Sequence, residues 1–179
     1  MDVFEAIAKR HSYRGEFKDT PIPREHLTQI VHAGIRAPSG CNAQTTAFVI
    51  VDDPALIAEL AAIVVKETVR SAKAVIVCVA EHRPVFGGMS FGVEDCAAAV
   101  ENMLLAATAL GYATVWFDGA LRRESKAEQI AALLGVPKER EVRVILPLGV
   151  PREVVAQRDR KPFAERAWFN RFGCASGQP

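Results

Sequence analysis

The architecture of this chain follows from the run VIVCV at residues 75–79, in which every side chain is apolar and most are β-branched. A short unbroken run of this kind is typical of a central strand that is buried on both faces of a sheet. Helices must then cover the sheet on both sides. We therefore expect a three-layer domain of α/β type with this strand near its centre.

Helices and strands alternate along the chain on either side of this strand. Further strands are predicted at residues 48–51, 112–117 and 142–150, where apolar and β-branched residues cluster. Helices are predicted at residues 2–9, 23–37, 54–64, 94–110 and 125–134, where apolar residues recur at helical spacing. Residues 81–93 are expected to form a loop. No repeat or interdomain linker interrupts the pattern, which predicts one domain over residues 1–179.

Three of the helix starts carry capping signals. Asp2 with Glu5, and Ser125 with Glu128, have the spacing of a capping box, in which a side-chain oxygen accepts from a free backbone N–H. Asp53 directly before Pro54 predicts a side-chain cap followed by proline in the first turn. These signals fix where three of the predicted helices begin.

Charge and hydropathy exclude several classes of function. The 179 residues carry 22 Lys and Arg against 21 Asp and Glu, a balance without the basic footprint of a nucleic-acid-binding protein. The longest apolar runs, at residues 74–80 and 142–150, are shorter than the ~18 residues of a membrane span. The acidic start MDVFE is unlike a secretory signal, so we expect a cytoplasmic protein. The four cysteines have no Cys-x-x-Cys spacing, and no metal site is expected.

Three polar clusters are candidate sites, since glycine-rich phosphate loops are absent. RHSYR at residues 10–14 has two guanidinium groups that suit an anion, or it is simply a favourable cationic helix end. APSGCNAQ at residues 37–44 offers a hydroxyl and two amides to a flat heterocycle, or forms an ordinary turn. RDRK at residues 158–161 is a second basic group, or a solvated tail.

The tail from residue 151 to residue 179 carries aromatic side chains among its charges. Pro162, Phe163, Trp168 and Phe169 give it more apolar surface than a solvated tail needs. Such a segment packs either on a partner subunit or across the surface of its own chain. Composition favours neither arrangement over the other.

Taken together, the clusters resemble the nitroreductase-like family of FMN-dependent NAD(P)H oxidoreductases. RHS at residues 10–12 is similar to the family's Arg-x-Ser motif, and residues 38–44 to its Pro-Ser-x-x-Asn-x-Gln loop. GYATVWFDG at residues 111–119 and LGVP at residues 148–151, followed by a late basic pair, resemble further family segments in the same order. The resemblance implies an α+β fold with a central mixed or antiparallel sheet flanked by helices. It also implies a homodimer with FMN at the subunit interface and C-terminal tails exchanged between subunits.

The resemblance assigns cofactor-binding roles residue by residue. The phosphate of FMN falls to Arg10, Ser12 and Arg160, with Arg158, and His11 lies within the same motif. Arg14 falls where the family places a cation beside the N1 and O2 edge of the flavin. The loop residues Pro38, Ser39, Gly40, Asn42 and Gln44 would approach the ring and ribityl chain from the opposite subunit. Asp118 and Gly119 would present a backbone N–H to N5.

The chemistry that the resemblance implies has two steps and needs no catalytic side chain. NAD(P)H gives hydride to flavin N5, and a small organic acceptor such as a nitroaromatic or a quinone then takes the electrons, in a ping-pong mechanism. One alternative is a family relative with other flavin chemistry, either reductive dehalogenation or flavin fragmentation. Another is a flavin-binding redox module without turnover, with Cys41 as its switch.

The sequence departs from the family pattern at three points. Thr45 and Thr46 follow Gln44 where the family has Pro-Trp. Residues 81–93 form only a short loop where larger members carry a helical insertion over the flavin, which predicts a more open pocket. A further family cation near the flavin edge has only Lys66 and Arg70 as candidates.

Overall fold

The central strand of the sheet is β2, and the other elements are arranged around it. The computed structural model describes residues 1–174. The helices are α1 (Val3–Lys9), α2 (Arg24–Ile35), α3 (Pro54–Val64), α4 (Glu67–Arg70), α5 (Gly92–Ala109) and α6 (Lys126–Leu134). The strands are β1 (Thr46–Val51), β2 (Ala74–Glu81), β3 (Ala113–Thr114) and β4 (Arg140–Gly149). Residues 175–179, the end of the expected domain, lie outside the described part of the chain.

All four strands pair antiparallel, in the order β1-β2-β4-β3. Val77 of β2 lies opposite Val49 of β1 and Ile145 of β4. The expectation of an α/β type, drawn from the alternation of helices and strands, is wrong on this point. The connections return each strand antiparallel to its neighbour, so the fold is α+β, as the resemblance implied.

The prediction that β2 is buried on both faces is confirmed. Residues 74–80 are all buried, and alternate side chains enter two different cores. Val75, Val77 and Val79 pack with α3 and α6. The even-numbered residues, including Ile76 and Cys78, pack with α2 and α5 on the opposite face. The period of two along a strand therefore builds three layers from one apolar run.

Two of the three predicted helix caps are present and one is wrong. The capping box of Asp2 and Glu5 forms with both of its hydrogen bonds, and Asp53 Oδ1 accepts from the backbone N–H of Ala55 at 2.8 Å. Ser125 makes no side-chain cap, because its backbone is left-handed, with φ 50°. A capping side chain needs extended backbone to reach the amides of the first turn.

The loop and strand boundaries differ from the prediction in three places. The strand expected at residues 112–117 pairs regularly only over Ala113–Thr114, and Phe117 forms a separate bridge with Ile145. The short helix α4 had no periodic signal, since it has only four residues. Helix α2 begins after Pro23, one residue later than expected. Within residues 1–174, no helix is long and apolar enough to cross a membrane.

Candidate functional site

A cleft of about 460 Å³ contains both basic clusters of the sequence. It lies where the end of α1 meets the start of the C-terminal tail. We call it the arginine cleft; its lining includes Arg10, His11, Ser12, Arg14, Gly15, Gln157, Arg158 and Arg160. Four guanidinium groups from two distant segments thus line one concave surface. The prediction that the first and last clusters belong together agrees with this arrangement.

Arg10 is fixed at the C-terminal end of α1. Its backbone N–H donates to the carbonyl of Ala6 at 2.8 Å and ends the helix. Its side chain is 19% exposed, and its Nε lies 3.5 Å from a carboxylate oxygen of Glu101 on α5. This carboxylate is the one acidic partner of the four cleft arginines within the described chain. The cleft therefore keeps an excess of positive charge for a ligand.

The segment after Arg10 is tied to the sheet and to α4. Ser12 forms a parallel bridge with Thr114 of β3, and the N–H of Tyr13 donates to the carbonyl of Thr114 at 2.9 Å. The carbonyl of Arg14 accepts from Thr68 Oγ1 on α4 at 2.8 Å. The Tyr13 ring is fully buried, so Ser12 and Arg14 on either side of it stay at the surface of the cleft. Backbone hydrogen bonds and burial of the Tyr13 ring together set this geometry.

The tail reaches the cleft through a glutamine. Gln157 Nε2 donates to the carbonyls of Arg10 at 2.6 Å and Ile7 at 3.2 Å, which places Arg158 and Arg160 over the end of α1. Arg160 Nη1 also donates to the carbonyl of Arg158 at 2.9 Å. Sequence reasoning missed Gln157, since nothing local distinguishes it from any other exposed glutamine.

The donors of the arginine cleft fit a phosphate group. Guanidinium groups and the Ser12 hydroxyl are the donors that proteins use for phosphate. His11 adds a ring whose Nδ1 lies 3.0 Å from the carbonyl of Lys9, while its Nε2 is buried without a protein partner in residues 1–174. A buried ring nitrogen of this kind is rare unless a ligand or water satisfies it.

The second cluster forms a tight loop elsewhere on the chain. Residues 40–42 make one turn of 3-10 helix, and the N–H of Gln44 donates to Ser39 Oγ at 3.0 Å. Cys41, Asn42 and Gln44 have left-handed backbone, with φ 52°, 53° and 51°. This loop does not line the arginine cleft. One chain therefore does not bring Ser39, Asn42 and Gln44 to its own basic cluster.

Asp118 and Gly119 follow the bridge at Phe117. The carboxylate of Asp118 accepts two hydrogen bonds from Arg122, both 2.6 Å long, so this side chain is already occupied. Gly119 lines a cleft of about 450 Å³ that also includes Lys66. Helix α4 lies between this cleft and the arginine cleft, because Lys66 precedes it and Thr68 contacts Arg14. Arg70, the other candidate cation, pairs with Glu67 on the same helix.

The cysteines divide into two buried and two exposed thiols. Cys78 of β2 and Cys96 of α5 are buried in the same core cluster. Burial raises the pKa of the Cys78 thiol well above its usual value. Cys41 and Cys174 are exposed. No group of three His, Cys, Asp or Glu side chains in the described residues is arranged to hold a metal ion.

Comparison with known proteins shows the family. The model of the nitroreductase family matches residues 7–84 and 67–150. A protein of Archaeoglobus fulgidus, named as a proposed NADH dehydrogenase/NAD(P)H nitroreductase, is 32% identical over 85% of this chain and 87% of its own. A protein of Methanothermobacter thermautotrophicus with the same name is 32% identical over 89% of this chain and 82% of its own.

A solved structure agrees with these sequence relatives. The nitroreductase family protein of Clostridium novyi NT superposes with a TM-score of 0.75, at 31% identity, over 86% of this chain and 87% of its own. The chain therefore belongs to the nitroreductase family. That family makes it an oxidoreductase.

Proposed function

We propose that the protein binds FMN and reduces a small organic acceptor, such as a nitroaromatic or a quinone, with electrons from NAD(P)H. The observation that carries the proposal is the arginine cleft, which gathers Arg10, Arg14, Arg158 and Arg160 around one concave surface. Bound FMN would supply hydride transfer at N5, accepting from NAD(P)H and then donating to the acceptor in a ping-pong sequence. The protein residues bind, orient and charge-balance that cofactor.

The phosphate of FMN is proposed to bind at the arginine cleft. Arg10, Ser12, Arg158 and Arg160 supply charged and neutral donors, and His11 Nε2 is available as a further contact. The contact between Gln157 and Arg10 holds the two basic segments together before the ligand binds, so little ordering remains to be done on binding.

Arg14 is proposed to place a positive charge beside the N1 and O2 edge of the flavin. The bond from Thr68 to its carbonyl fixes the backbone from which the side chain extends. A cation there stabilises the negative charge of the reduced ring and favours hydride uptake. The backbone N–H groups near Asp118 and Gly119 are proposed to face N5, since the Asp118 carboxylate itself is held by Arg122.

A homodimer is proposed to complete the site. The loop of residues 38–44, with Pro38, Ser39, Gly40, Asn42 and Gln44, lies outside the arginine cleft of its own chain, which supports contact with the flavin of a second subunit. The tail supports the same arrangement, because Phe163 and Phe169 are both 66% exposed and do not cover the surface of their own chain. Phe4 on α1 is 79% exposed as well. Apolar surface of this extent favours exchange of tails between subunits.

The test is anaerobic reduction of the purified protein, followed by absorption spectroscopy. We expect a yellow dimer whose flavin band bleaches rapidly with NADH or NADPH and recovers when a quinone is added. Flavin that stays oxidised with both coenzymes would favour relatives with other flavin chemistry. Rapid bleaching without turnover of any acceptor would indicate a redox module. A colourless protein that ignores added FMN would overturn the proposal.

A further inference from the structure

Asp95 is a buried carboxylate outside the arginine cleft. It lies in the first turn of α5 and is 5% exposed. Oδ1 accepts from the backbone N–H of Gly40 at 2.8 Å, and Oδ2 accepts from the hydroxyl of Thr45 at 2.5 Å. It forms no ion pair with any residue of the described chain. We call residues 38–44 the flavin loop. The two hydrogen bonds of the Asp95 side chain therefore reach Gly40 in this loop and Thr45 directly after it.

A buried carboxylate without a cation is costly, so its contacts must offset a large loss of hydration. The positive end of the α5 dipole contributes, since Asp95 is in the first turn of this helix. An apolar side chain at this position would avoid the cost. It would also leave the Gly40 N–H without its acceptor. We therefore infer that a carboxylate is present at this position because the flavin loop needs its hydrogen bond.

The flavin loop needs such a restraint because its backbone is strained. Cys41, Asn42 and Gln44 all adopt left-handed backbone, which is unfavourable for residues with a Cβ. Three left-handed residues in one short loop persist only when surrounding contacts hold them.

Besides its own turn hydrogen bonds, a few side chains hold this loop, and a small pocket lies next to it. Ser39 Oγ accepts from the N–H of Gln44, and Arg83 Nη2 donates to the carbonyl of Ala43 at 2.8 Å. A small cavity of about 70 Å³ lies behind the loop, bordered by Gln44 and Asp95. The loop therefore has open space beside Ser39 and Gln44. Gly40 approaches so closely that a Cβ there would overlap the ring of Phe91, so its position relative to α5 is narrowly defined.

We propose that Asp95 is a positioning residue that holds the flavin loop in the shape in which Asn42 and Gln44 bind the flavin of the partner subunit. This inference rests on the proposed function. Asp95 touches neither cofactor nor substrate and acts on the loop through its bond to Gly40. Its removal therefore changes the loop first and the affinity for FMN as a consequence.

The test uses three variants and two measurements on the full-length protein. Asp95→Ala removes both contacts. Asp95→Asn keeps an amide oxygen for the Gly40 N–H and a donor for Thr45. Thr45→Val removes only the second contact and is the matched control. Hydrogen exchange of the Gly40 amide is measured in flavin-free protein, and the Kd for FMN is measured by quenching of FMN fluorescence.

We expect Asp95→Ala to speed exchange at Gly40 and to raise the Kd for FMN, each by about tenfold or more. Asp95→Asn and Thr45→Val should stay within about threefold of the wild-type values, because the bond to Gly40 survives in both. Faster exchange in Asp95→Ala with unchanged FMN affinity would overturn the positioning role. So would an Asp95→Asn variant that binds FMN as weakly as Asp95→Ala.

Further results distinguish failure of the positioning role from failure of the proposed function and from misfolding of the variant. Wild-type protein that shows no FMN binding would overturn the proposed function, and the positioning role with it. Wild-type binding with an unaffected Asp95→Ala variant overturns the positioning role alone. If Asp95→Ala does not fold, hydrogen exchange in the wild-type protein is the test. We expect the Gly40 amide to exchange at least about tenfold more slowly than the amide of Gly87, which lies in an open turn. Equal exchange rates at the two amides would overturn the inference.

Discussion

The side-chain amide of Gln157 donates to the backbone carbonyl of Arg10 at 2.6 Å. This bond joins the end of the first helix to the C-terminal tail, so the two basic segments share one cleft before any ligand is present. Replacing Gln157 by Ala should raise the Kd for FMN by about fivefold or more, since its neutral hydrogen bonds to the carbonyls of Arg10 and Ile7 are both lost. Titration of the flavin-free protein with FMN measures it.

The matched control for this variant is Gln129→Ala. Gln129 makes the same kind of bond, from its side-chain amide to the carbonyl of Glu124 at 2.9 Å, but does so on α6. Its loss should leave FMN affinity unchanged. Equal weakening in both variants would contradict a specific role for Gln157.

Arg10 provides a direct test of the phosphate assignment. Arg10→Ala should weaken FMN binding by about 1.5–3 kcal/mol, since a charge-assisted hydrogen bond to phosphate is lost. Flavin content after exhaustive dialysis, read from the absorption spectrum, checks the prediction. Arg24→Ala is the control, because Arg24 forms its ion pair with Asp52 away from the cleft. Full retention of flavin by Arg10→Ala would remove Arg10 from the site.

The thiols should react in two classes. Cys41 and Cys174 are exposed, whereas Cys78 and Cys96 are buried. Burial disfavours the thiolate and so raises the pKa of Cys78, which means that less of the reactive form is present at any given pH. A disulfide reagent at pH 8 should therefore label only the exposed pair in native protein and all the cysteines after denaturation. Rapid labelling of Cys78 in folded protein would contradict its placement in the core.

Two helix starts that look alike in sequence should respond differently to mutation. Asp53→Ala should lower the free energy of unfolding by about 1 kcal/mol, because Asp53 Oδ1 caps the N–H of Ala55. Ser125→Ala should change it by less than about 0.5 kcal/mol, because Ser125 makes no side-chain cap. Chemical denaturation of both variants measures the difference. A larger loss for Ser125→Ala would show that its side chain does cap α6 in solution.

The layered fold could be predicted because its signals are local. The apolar run at β2 and the periodic helices around it specify burial on both faces without reference to distant residues. The strand directions could not be predicted in this way, since they depend on how the connections cross the sheet. Only the family resemblance indicated a mixed or antiparallel sheet, and the sheet of the structure is antiparallel.

The sequence predicted which residues belong to the candidate site better than it predicted how those residues are arranged. Arg10 and Arg160 stand out in sequence as members of basic clusters, and the structure gathers them in one cleft. Gln157 and Asp95 do not stand out, because an exposed glutamine and an acid in the first turn of a helix are ordinary features. Their importance comes from contacts with backbone groups that are distant in sequence. The helix cap predicted at Ser125 is wrong for the opposite reason. The sequence has the capping pattern, but the backbone of Glu124 and Ser125 is left-handed.

The bridge between Ser12 and Thr114 gives the arginine cleft the rigidity of the sheet. Thr114 also pairs with Leu148 of β4. The segment around Ser12 is therefore attached to the edge of the β-sheet through β3. We therefore expect the amide of Tyr13, which donates to the carbonyl of Thr114, to exchange with solvent more slowly than the amides of open turns. FMN bound at the cleft as proposed would raise the free energy of unfolding, since a ligand that binds only the folded chain stabilises it.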